Sequence, residues 1–269
     1  MDFPETCAVR TLSFVAASLA FSLLDPHATV LWKYPGHLLF FVFLNILVGN
    51  VVGDISYFRA IQEMGVSKTV AATCSYPLFV TFISATLLGE QVTIPVVLGT
   101  GCIIAGLLIL KTGGSESDGS GTPWRGYLYA LWSAVCWAAM LTLQKWLLSV
   151  NAIPAATVTL WRALFLMAVS WAYWILSTRK SPEKRARLAS LGAGSLGWGL
   201  AAGTVGLALG GYMFALGIEI IPVSIATPIS ASSPILAAFM GVLLFKERMR
   251  PLQWMGIFCI VAGVVAVSS

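Results

Sequence analysis

Asp54 is the residue of this sequence most suited to bind a ligand, because its ionisable side chain lies in the middle of an apolar run. The run reads NVVGDISYFRAI and belongs to the longer apolar segment 37–62. An ionisable side chain in such surroundings is expensive to bury, so it predicts a functional site by default. Asp54 is suited to bind a cationic group of a ligand or to carry a coupling proton. The alternative is a structural ion pair with one of three arginines: Arg59, Arg10 or Arg162.

Helical spacing gives this segment two neighbouring faces. Asn50, Asp54 and Tyr57 recur at intervals of four and three residues, so they share one polar stripe of a helix. The adjacent stripe is made only of small residues: Gly49, Gly53, Ser56 and Ala60. Small side chains let neighbouring helices approach closely. The segment is therefore predicted to pack tightly along one stripe and to present ligand-binding groups on the other.

Two prolines stand at matching places in two similar apolar phrases. SYPLFVTFISATLLGE begins at Ser75 and SSPILAAFMGVLLFKE begins at Ser232, and each proline precedes a glutamate by thirteen residues. A proline inside a helix removes one backbone donor and crowds the carbonyl four residues back. In lipid such a carbonyl must face protein, water or a ligand. Pro77 and Pro234 are therefore predicted to line a central site, with packing kinks capped by the two serines as the alternative.

Other side chains complete the predicted site. Aromatic rings offer stacking surfaces, and Arg162 offers a charge for an anionic group, although each of these side chains has a packing or interfacial alternative. The predicted substrate-binding set is Asn50, Asp54, Tyr57, Ser75, Tyr76, Pro77, Trp137, Arg162, Tyr212, Ser232, Ser233 and Pro234. Glu90 and Glu247 are predicted to cap turns or pair at interfaces instead. The sequence contains no phosphate-binding loop, catalytic motif or dense His/Cys cluster, so no cofactor, metal, enzymatic activity or nucleic-acid partner is expected.

The composition places these residues in a membrane. The chain has 269 residues, of which 58% are hydrophobic and only 10% charged, and its mean hydropathy is +0.87. A soluble domain carries about 25% charged residues. We therefore predict an all-α, multi-pass protein of the plasma (inner) membrane, in contact with the lipid bilayer. Nine apolar runs indicate nine spans: 8–24, 37–62, 68–88, 92–111, 126–149, 153–177, 193–218, 222–245 and 251–267.

The chain also contains an internal repeat. A shift of 157 residues superimposes Gly49 on Gly206, Pro77 on Pro234 and Gly99 on Gly256. We predict a first repeat of four helices over 1–112, a linker over 113–125 and a second repeat of five helices over 126–269. Five spans separate the glutamates that close the two phrases, so these glutamates lie on opposite membrane faces. The repeats are therefore predicted to be inverted, which is the architecture of many secondary transporters.

The paired segments beginning GVSKTVAATCSYP and PVSIATPISASSP resemble the two closing segments of the EamA family in the drug/metabolite transporter superfamily. The resemblance rests on the proline, the glutamate at the turn and the following helix with two glycines seven residues apart, and it covers nearly the whole chain. It implies a ten-helix fold of two inverted five-helix units that moves small metabolites without ATP. Here the first helix of that fold is expected to be missing, which gives the count of four plus five.

The resulting hypothesis is a secondary transporter that carries a small metabolite or drug-like solute by alternating access. A coupling proton and a homodimer are compatible with it. The alternative is a transport-inactive scaffold or partner subunit of the same fold. Orientation stays open, because the basic loop 178–190 favours a cytoplasmic location for its own face, whereas the family pattern implies the reverse.

Overall fold

The computed structural model describes residues 3–26, 28, 34–112, 124–179, 192–233, 235–236 and 251–268. Every regular element in these residues is helical. The elements up to residue 112 are α1 (Phe3–Leu24), α2 (Gly36–Ile46), a π-helical segment (Leu47–Gly53), α3 (Asp54–Thr73), α4 (Tyr76–Leu88) and α5 (Ile94–Thr112). The later elements are α6 (Trp124–Lys145), a π-helical segment (Trp146–Val150), α7 (Ala155–Thr178), α8 (Ala193–Ala201), a π-helical segment (Ala202–Gly210), α9 (Gly211–Ile220), α10 (Val223–Ala231) and α11 (Pro251–Ser268).

Seven helical segments among the described residues are long and apolar enough to cross a membrane. They are Glu5–Leu24, Gly36–Val66, Lys68–Leu88, Trp124–Val150, Ala155–Thr178, Ala193–Ile220 and Pro251–Ser268. The fourth predicted run forms the shorter apolar helix Ile94–Ile109. Pro234 and residues 237–245 of the eighth run lie outside the described residues, as does Glu247, which follows this run. The all-α, polytopic class is thus confirmed, while the count of nine spans stays a prediction.

Glycine and proline set the ends of several helices. Gly89 ends α4 with φ 66° and ψ 22°, a left-handed conformation that costs glycine little. Gly65 interrupts α3 with φ 80° and ψ 166°, so Val66 starts a new stretch of regular helix. Pro154 and Pro222 directly precede α7 and α10. A proline at a helix start is well tolerated, because the first N–H groups have no partner inside the helix.

The chain divides into two compact units, each drawn from both sequence repeats. The first unit comprises Met1–Ile46 and Gln144–Ile220, and the second comprises Leu47–Leu143 and Ile221–Ser269. Their boundaries fall where α2 meets its π-helical segment, near the end of α6 and between α9 and α10. Phe14, Ile46 and Leu166 belong to a buried core of the first unit. Ile103 and Ile260 belong to a buried core of the second unit, where α5 packs on α11.

Glycines bring α5 and α11 into backbone contact in the second unit. A Cβ atom added at Gly99 would lie 2.6 Å from the carbonyl oxygen of Gly263, and one added at Gly106 would lie 2.6 Å from that of Gly256. The later glycine of α5 therefore meets the earlier glycine of α11, so the two helices run antiparallel. Only a residue without a side chain fits at such a crossing.

The region of Pro77 differs from the sequence-based expectation. Pro77 lies in the first turn of α4 rather than in mid-helix, because the apolar span Lys68–Leu88 breaks at Cys74 and Ser75. The N–H of Ser75 donates to the Ala72 carbonyl at 3.3 Å, as in a tighter turn. The prediction of a proline inside a continuous helix is therefore wrong at this position. The break lets the proline occupy a helix start, where its missing N–H is tolerated.

Candidate functional site

Asp54 occupies the first position of α3, directly after the wide turns of the π-helical segment Leu47–Gly53. Departures of this kind from α-helical geometry are frequent at functional sites. The indole Nε1 of Trp137 in α6 donates a hydrogen bond to Oδ1 of Asp54 at 3.1 Å. The carboxylate is only partly buried. Its position is thus set by a neighbouring helix, and part of it stays accessible.

Two tyrosines surround the indole that binds Asp54. The ring of Tyr57 lies 5.2 Å from that of Trp137 at an interplanar angle of 44°, and the ring of Tyr76 lies 6.2 Å away and nearly perpendicular to it. The structure thus brings four predicted site residues together in the second unit. We call them the Asp54 cluster: Asp54, Tyr57, Tyr76 and Trp137. A carboxylate beside aromatic faces is suited to bind a cation, because both groups attract positive charge.

The stripe of small residues explains how Trp137 reaches Asp54. A Cβ atom at Gly53 would lie 3.0 Å from Cδ1 and 3.1 Å from Nε1 of Trp137. One turn earlier, a Cβ atom at Gly49 would lie 2.7 Å from Cβ of Met140. The predicted close packing along this stripe is confirmed, with α6 as the partner helix. Because the indole lies against Gly53, its N–H is within reach of the next residue, Asp54.

Asn50 adds a further polar group one turn before Asp54. Its Oδ1 atom is buried without a hydrogen-bond partner among the described residues. A buried acceptor without a partner is costly. Asn50 therefore offers an oxygen that a donor group of a ligand or a water molecule would satisfy.

The serines of the two repeated phrases make equivalent local bonds. The hydroxyl of Ser75 donates to the Ala72 carbonyl at 2.7 Å, and the hydroxyl of Ser232 donates to the Ile229 carbonyl at 2.6 Å. This is the capped kink that the sequence left open as the alternative. Ser233 lies next to Ser232 with an exposed side chain, and Pro77 is buried. Pro234 lies outside the described residues.

Arg162 and Tyr212 belong to the first unit, whereas the Asp54 cluster belongs to the second. Nη1 of Arg162 donates to Oε1 of Gln144 at 2.7 Å, and Gln144 is fully buried. The ring of Tyr212 stacks on that of Phe21 with centroids 4.9 Å apart and an interplanar angle of 16°. The roles of Arg162 and Tyr212 in binding stay predictions.

Glu90 has the capping role that the sequence predicted. Its Oε1 accepts a hydrogen bond from the N–H of Val223 at 2.8 Å. Its Oε2 accepts one from the N–H of Ser224 at 3.1 Å and one from the Ser224 hydroxyl at 2.6 Å. The carboxylate thereby satisfies the first N–H groups of α10, where a negative charge also interacts favourably with the helix dipole.

Sequence reasoning missed two features. Pro228 lies inside α10, where it cannot donate to the carbonyl of Ser224. Asp25 and Glu219 line a cavity in the first unit. The only signal in the sequence was an acidic residue at the end of the first and of the seventh apolar run, and similar signals are common at helix ends.

Comparison with known proteins identifies a matching family, relatives that are named as transporters and a solved structure of similar fold. The sequence model of the EamA-like transporter family matches residues 1–112 and 124–269. An uncharacterized transporter of Archaeoglobus fulgidus is 24% identical over 223 residues, which cover 82% of this chain and 73% of that protein. An uncharacterized transporter of Bacillus subtilis, YwfM, is 25% identical over 220 residues, or 79% of this chain and 68% of that protein. A solved crystal structure covers 99% of this chain and 87% of its own at a TM-score of 0.79 and 19% identity, a likeness of fold.

Proposed function

This chain belongs to the EamA-like transporter family, and we propose that it is a secondary transporter of small solutes that carry a cationic group. The family match confirms the resemblance inferred from the repeated phrases. Together with seven candidate spans, it establishes an integral, multi-pass protein of the plasma membrane. A function in membrane transport agrees with the names of the relatives from Archaeoglobus fulgidus and Bacillus subtilis. Membership of a transporter family also favours a protein that is not an enzyme.

The observation that carries the proposal is the contact between Asp54 and Trp137. An acidic group within a membrane-spanning helix is costly and by default indicates a functional site. The indole N–H donates to one carboxylate oxygen of Asp54 and thereby orients the carboxylate. An ammonium group next to this carboxylate would also meet the faces of Tyr57 and Tyr76, which contribute cation–π attraction. The adjoining amide oxygen of Asn50 would accept a further hydrogen bond.

Alternating access between two inverted repeats is the proposed mechanism, and local geometry supports such repeats. The π-helical segments Leu47–Gly53 and Ala202–Gly210 end at glycines that are 157 residues apart. The turns after α3 and α10 share the same backbone bonds: Leu78 donates to Ser75 at 3.0 Å, and Ile235 donates to Ser232 at 2.9 Å. Two sequence halves with the same unusual features at the same positions are best explained as copies of one structural unit.

The crossing of α5 and α11 supports the inversion of these repeats. Gly99 is the sequence equivalent of Gly256, and Gly106 is the equivalent of Gly263. In the structure Gly99 meets Gly263 and Gly106 meets Gly256. Exchange of the two repeats therefore converts each contact into the other, as a local two-fold axis requires. Equivalent helices that run antiparallel point in opposite directions across the membrane, which is the geometry of inverted repeats.

A transporter of this kind needs a driving force other than ATP, because the sequence has no phosphate-binding loop. Asp54 is also the group that we propose for proton coupling. A proton and a cationic solute would compete for the same carboxylate, and such competition makes the two fluxes run in opposite directions. A homodimer remains a prediction without a structural argument in its favour.

The test is transport by purified protein in lipid vesicles, with an imposed proton gradient and a panel of amino acids, nucleosides, polyamines and sugars. We expect uptake of a cationic member of the panel by the wild type and at least a tenfold loss in Asp54→Asn, with folded yield unchanged. Glu63→Gln is the matched control, because Glu63 is an exposed carboxylate of the same helix. Transport at the wild-type rate in Asp54→Asn would make Asp54 structural. If no solute is transported or stabilises the protein, the scaffold alternative is favoured.

A further inference from the structure

A cavity of about 790 Å³ lies within the first unit, separate from the residues of the Asp54 cluster. Three chain segments form it: the end of α1, the stretch from the π-helical segment Trp146–Val150 to the start of α7, and one face of α9. Its volume falls in the range of small-molecule sites, about 300–1,000 Å³. The cavity therefore has room for a ligand of metabolite size.

One wall of this cavity is aromatic. The rings of Phe21 and Tyr212 are stacked at 4.9 Å, and both residues line the cavity. Leu24, Met213 and Leu216 extend this apolar wall. A flat ring or an aliphatic chain would bury apolar surface here, with a contribution of about 25 cal/mol for each Å² removed from water.

Acidic groups form the polar part of the lining. Asp25 follows the last residue of α1, and Glu219 lies in the last turn of α9. The two carboxylates interact electrostatically with each other and Glu219 also with Lys145. Both neighbouring helices end here, and the C-terminal end of a helix carries a partial negative charge.

Positive charge near the cavity is partly engaged elsewhere. The ammonium of Lys145 donates to the carbonyl of Ile218, at the end of α9, and Lys145 is not part of the lining. The start of α7 at Ala155 contributes the partial positive charge of a helix N-terminus. Two carboxyl groups and two helix C-termini outweigh one lysine and one helix N-terminus. The described lining therefore attracts cations.

We propose that this cavity is a second binding site, selective for organic cations with an aromatic or aliphatic body. The apolar part of the ligand packs on Phe21 and Tyr212, and its positive group lies between Asp25 and Glu219. The cavity's lining residues all belong to the first unit, whereas Asp54 belongs to the second. In this proposal Tyr212 contacts the ligand of the cavity and not the solute at Asp54.

Benzyltrimethylammonium is a suitable probe, because it joins one aromatic ring to one fixed positive charge. Benzylsulfonate is the matched control, with the same ring and the opposite charge. Titration calorimetry on the purified full chain in a non-ionic detergent, at constant ionic strength, measures both. We expect binding of the cation and at least tenfold weaker binding of the anion. Absence of cation binding, or equal binding of the two probes, would overturn the proposal without the use of any variant.

Single substitutions then locate the bound cation. Asp25→Asn and Glu219→Gln should each weaken benzyltrimethylammonium binding at least fivefold, and Glu219→Asp should recover part of the loss. Asp54→Asn should keep the part of the binding that depends on Asp25 and Glu219 even where it abolishes transport, so the two proposals fail separately. Binding that is lost in Asp54→Asn, or unchanged in both cavity variants, would show that the cation occupies another site. If Glu219→Gln does not fold, Glu219→Asp and Asp25→Asn still distinguish these outcomes.

Discussion

Glu90 accepts two hydrogen bonds from Ser224, one from the backbone N–H at 3.1 Å and one from the hydroxyl at 2.6 Å. The two residues are far apart in the sequence, and their contact joins the end of α4 to the start of α10 within the second unit. A helix start without a partner for its N–H groups is unfavourable inside a membrane protein. The carboxylate thus fixes the position of this helix end and satisfies its first N–H groups.

Removal of this cap should destabilise the protein. Glu90→Ala deletes both oxygens that accept from Val223 and Ser224, so we expect a loss of about 1–2 kcal/mol, the upper range for a helix cap. Glu90→Gln keeps one acceptor oxygen and should lose less. The midpoint of thermal unfolding in detergent measures both, with Gln91→Ala as the control at an exposed neighbouring side chain. Equal midpoints for Glu90→Ala and Gln91→Ala would contradict a capping role.

The crossing of α5 and α11 gives a prediction with a control on the same helix. A Cβ atom at Gly99 would meet backbone atoms of Gly263 and Val267 at 2.6 and 2.9 Å, so Gly99→Ala must push the helices apart. We expect a loss of about 1–3 kcal/mol, typical of overpacking. Gly101→Ala meets no atom within 4 Å and should be neutral or slightly stabilising. Unfolding midpoints and folded yield compare the two, and equal effects would exclude the close crossing.

The packing of α6 on the small stripe can be tested by compensation. In Gly49→Ala the new methyl group would overlap the side chain of Met140, so stability should fall by about 1–3 kcal/mol. Met140→Ala should restore part of this loss when the two substitutions are combined. Gly206→Ala, at the equivalent position of the second repeat, meets open space and is the control. If the double variant loses as much stability as the two single variants together, or more, the result would argue against the contact.

The bond between Arg162 and Gln144 should be required for stability. Gln144→Leu removes the oxygen that accepts from Nη1 of Arg162 and keeps a similar volume, so we expect a loss of about 1.5–3 kcal/mol, as for hydrogen bonds to charged groups. In the background of Arg162→Met the same substitution should have little effect. A thermodynamic cycle of the four proteins, measured by thermal unfolding, isolates the pair. Additive effects would show that the two side chains act independently.

The apolar runs predicted the all-helical class, because a backbone in lipid must satisfy its hydrogen bonds internally and therefore favours helices. The break before Pro77 was not predictable from the proline alone. It depends on whether the chain ends one helix at Thr73 and begins another at Tyr76, and the hydroxyl of Ser75 stabilises that choice. The proline correctly indicated an interruption of the apolar helix, but the prediction wrongly placed Pro77 inside a helix and not at a helix start.

The candidate site, too, was only partly predictable from the sequence. Helical spacing alone placed Asp54 and Tyr57 on one stripe, since the two residues are close in the sequence. The contact with Trp137 depends on which helix packs against the small stripe, and spacing within one segment holds no such information. Tyr212 was included because of its aromatic ring alone, and the structure instead places it on Phe21 beside two carboxylates. Long-range packing therefore decides which polar and aromatic residues share a site.

Trp137→Phe tests the central contact, because it keeps an aromatic ring for Tyr57 and Tyr76 and removes the N–H that binds Asp54. We expect the unfolding free energy to fall by about 1.5–3 kcal/mol, since the lost bond involves a carboxylate. Solute uptake by reconstituted protein should fall at least fivefold, because Asp54 loses its fixed position. Trp132→Phe is the control, as Trp132 is a 55% exposed tryptophan of the same helix. Identical stability and uptake in the two variants would show that transport does not require the bond between Trp137 and Asp54.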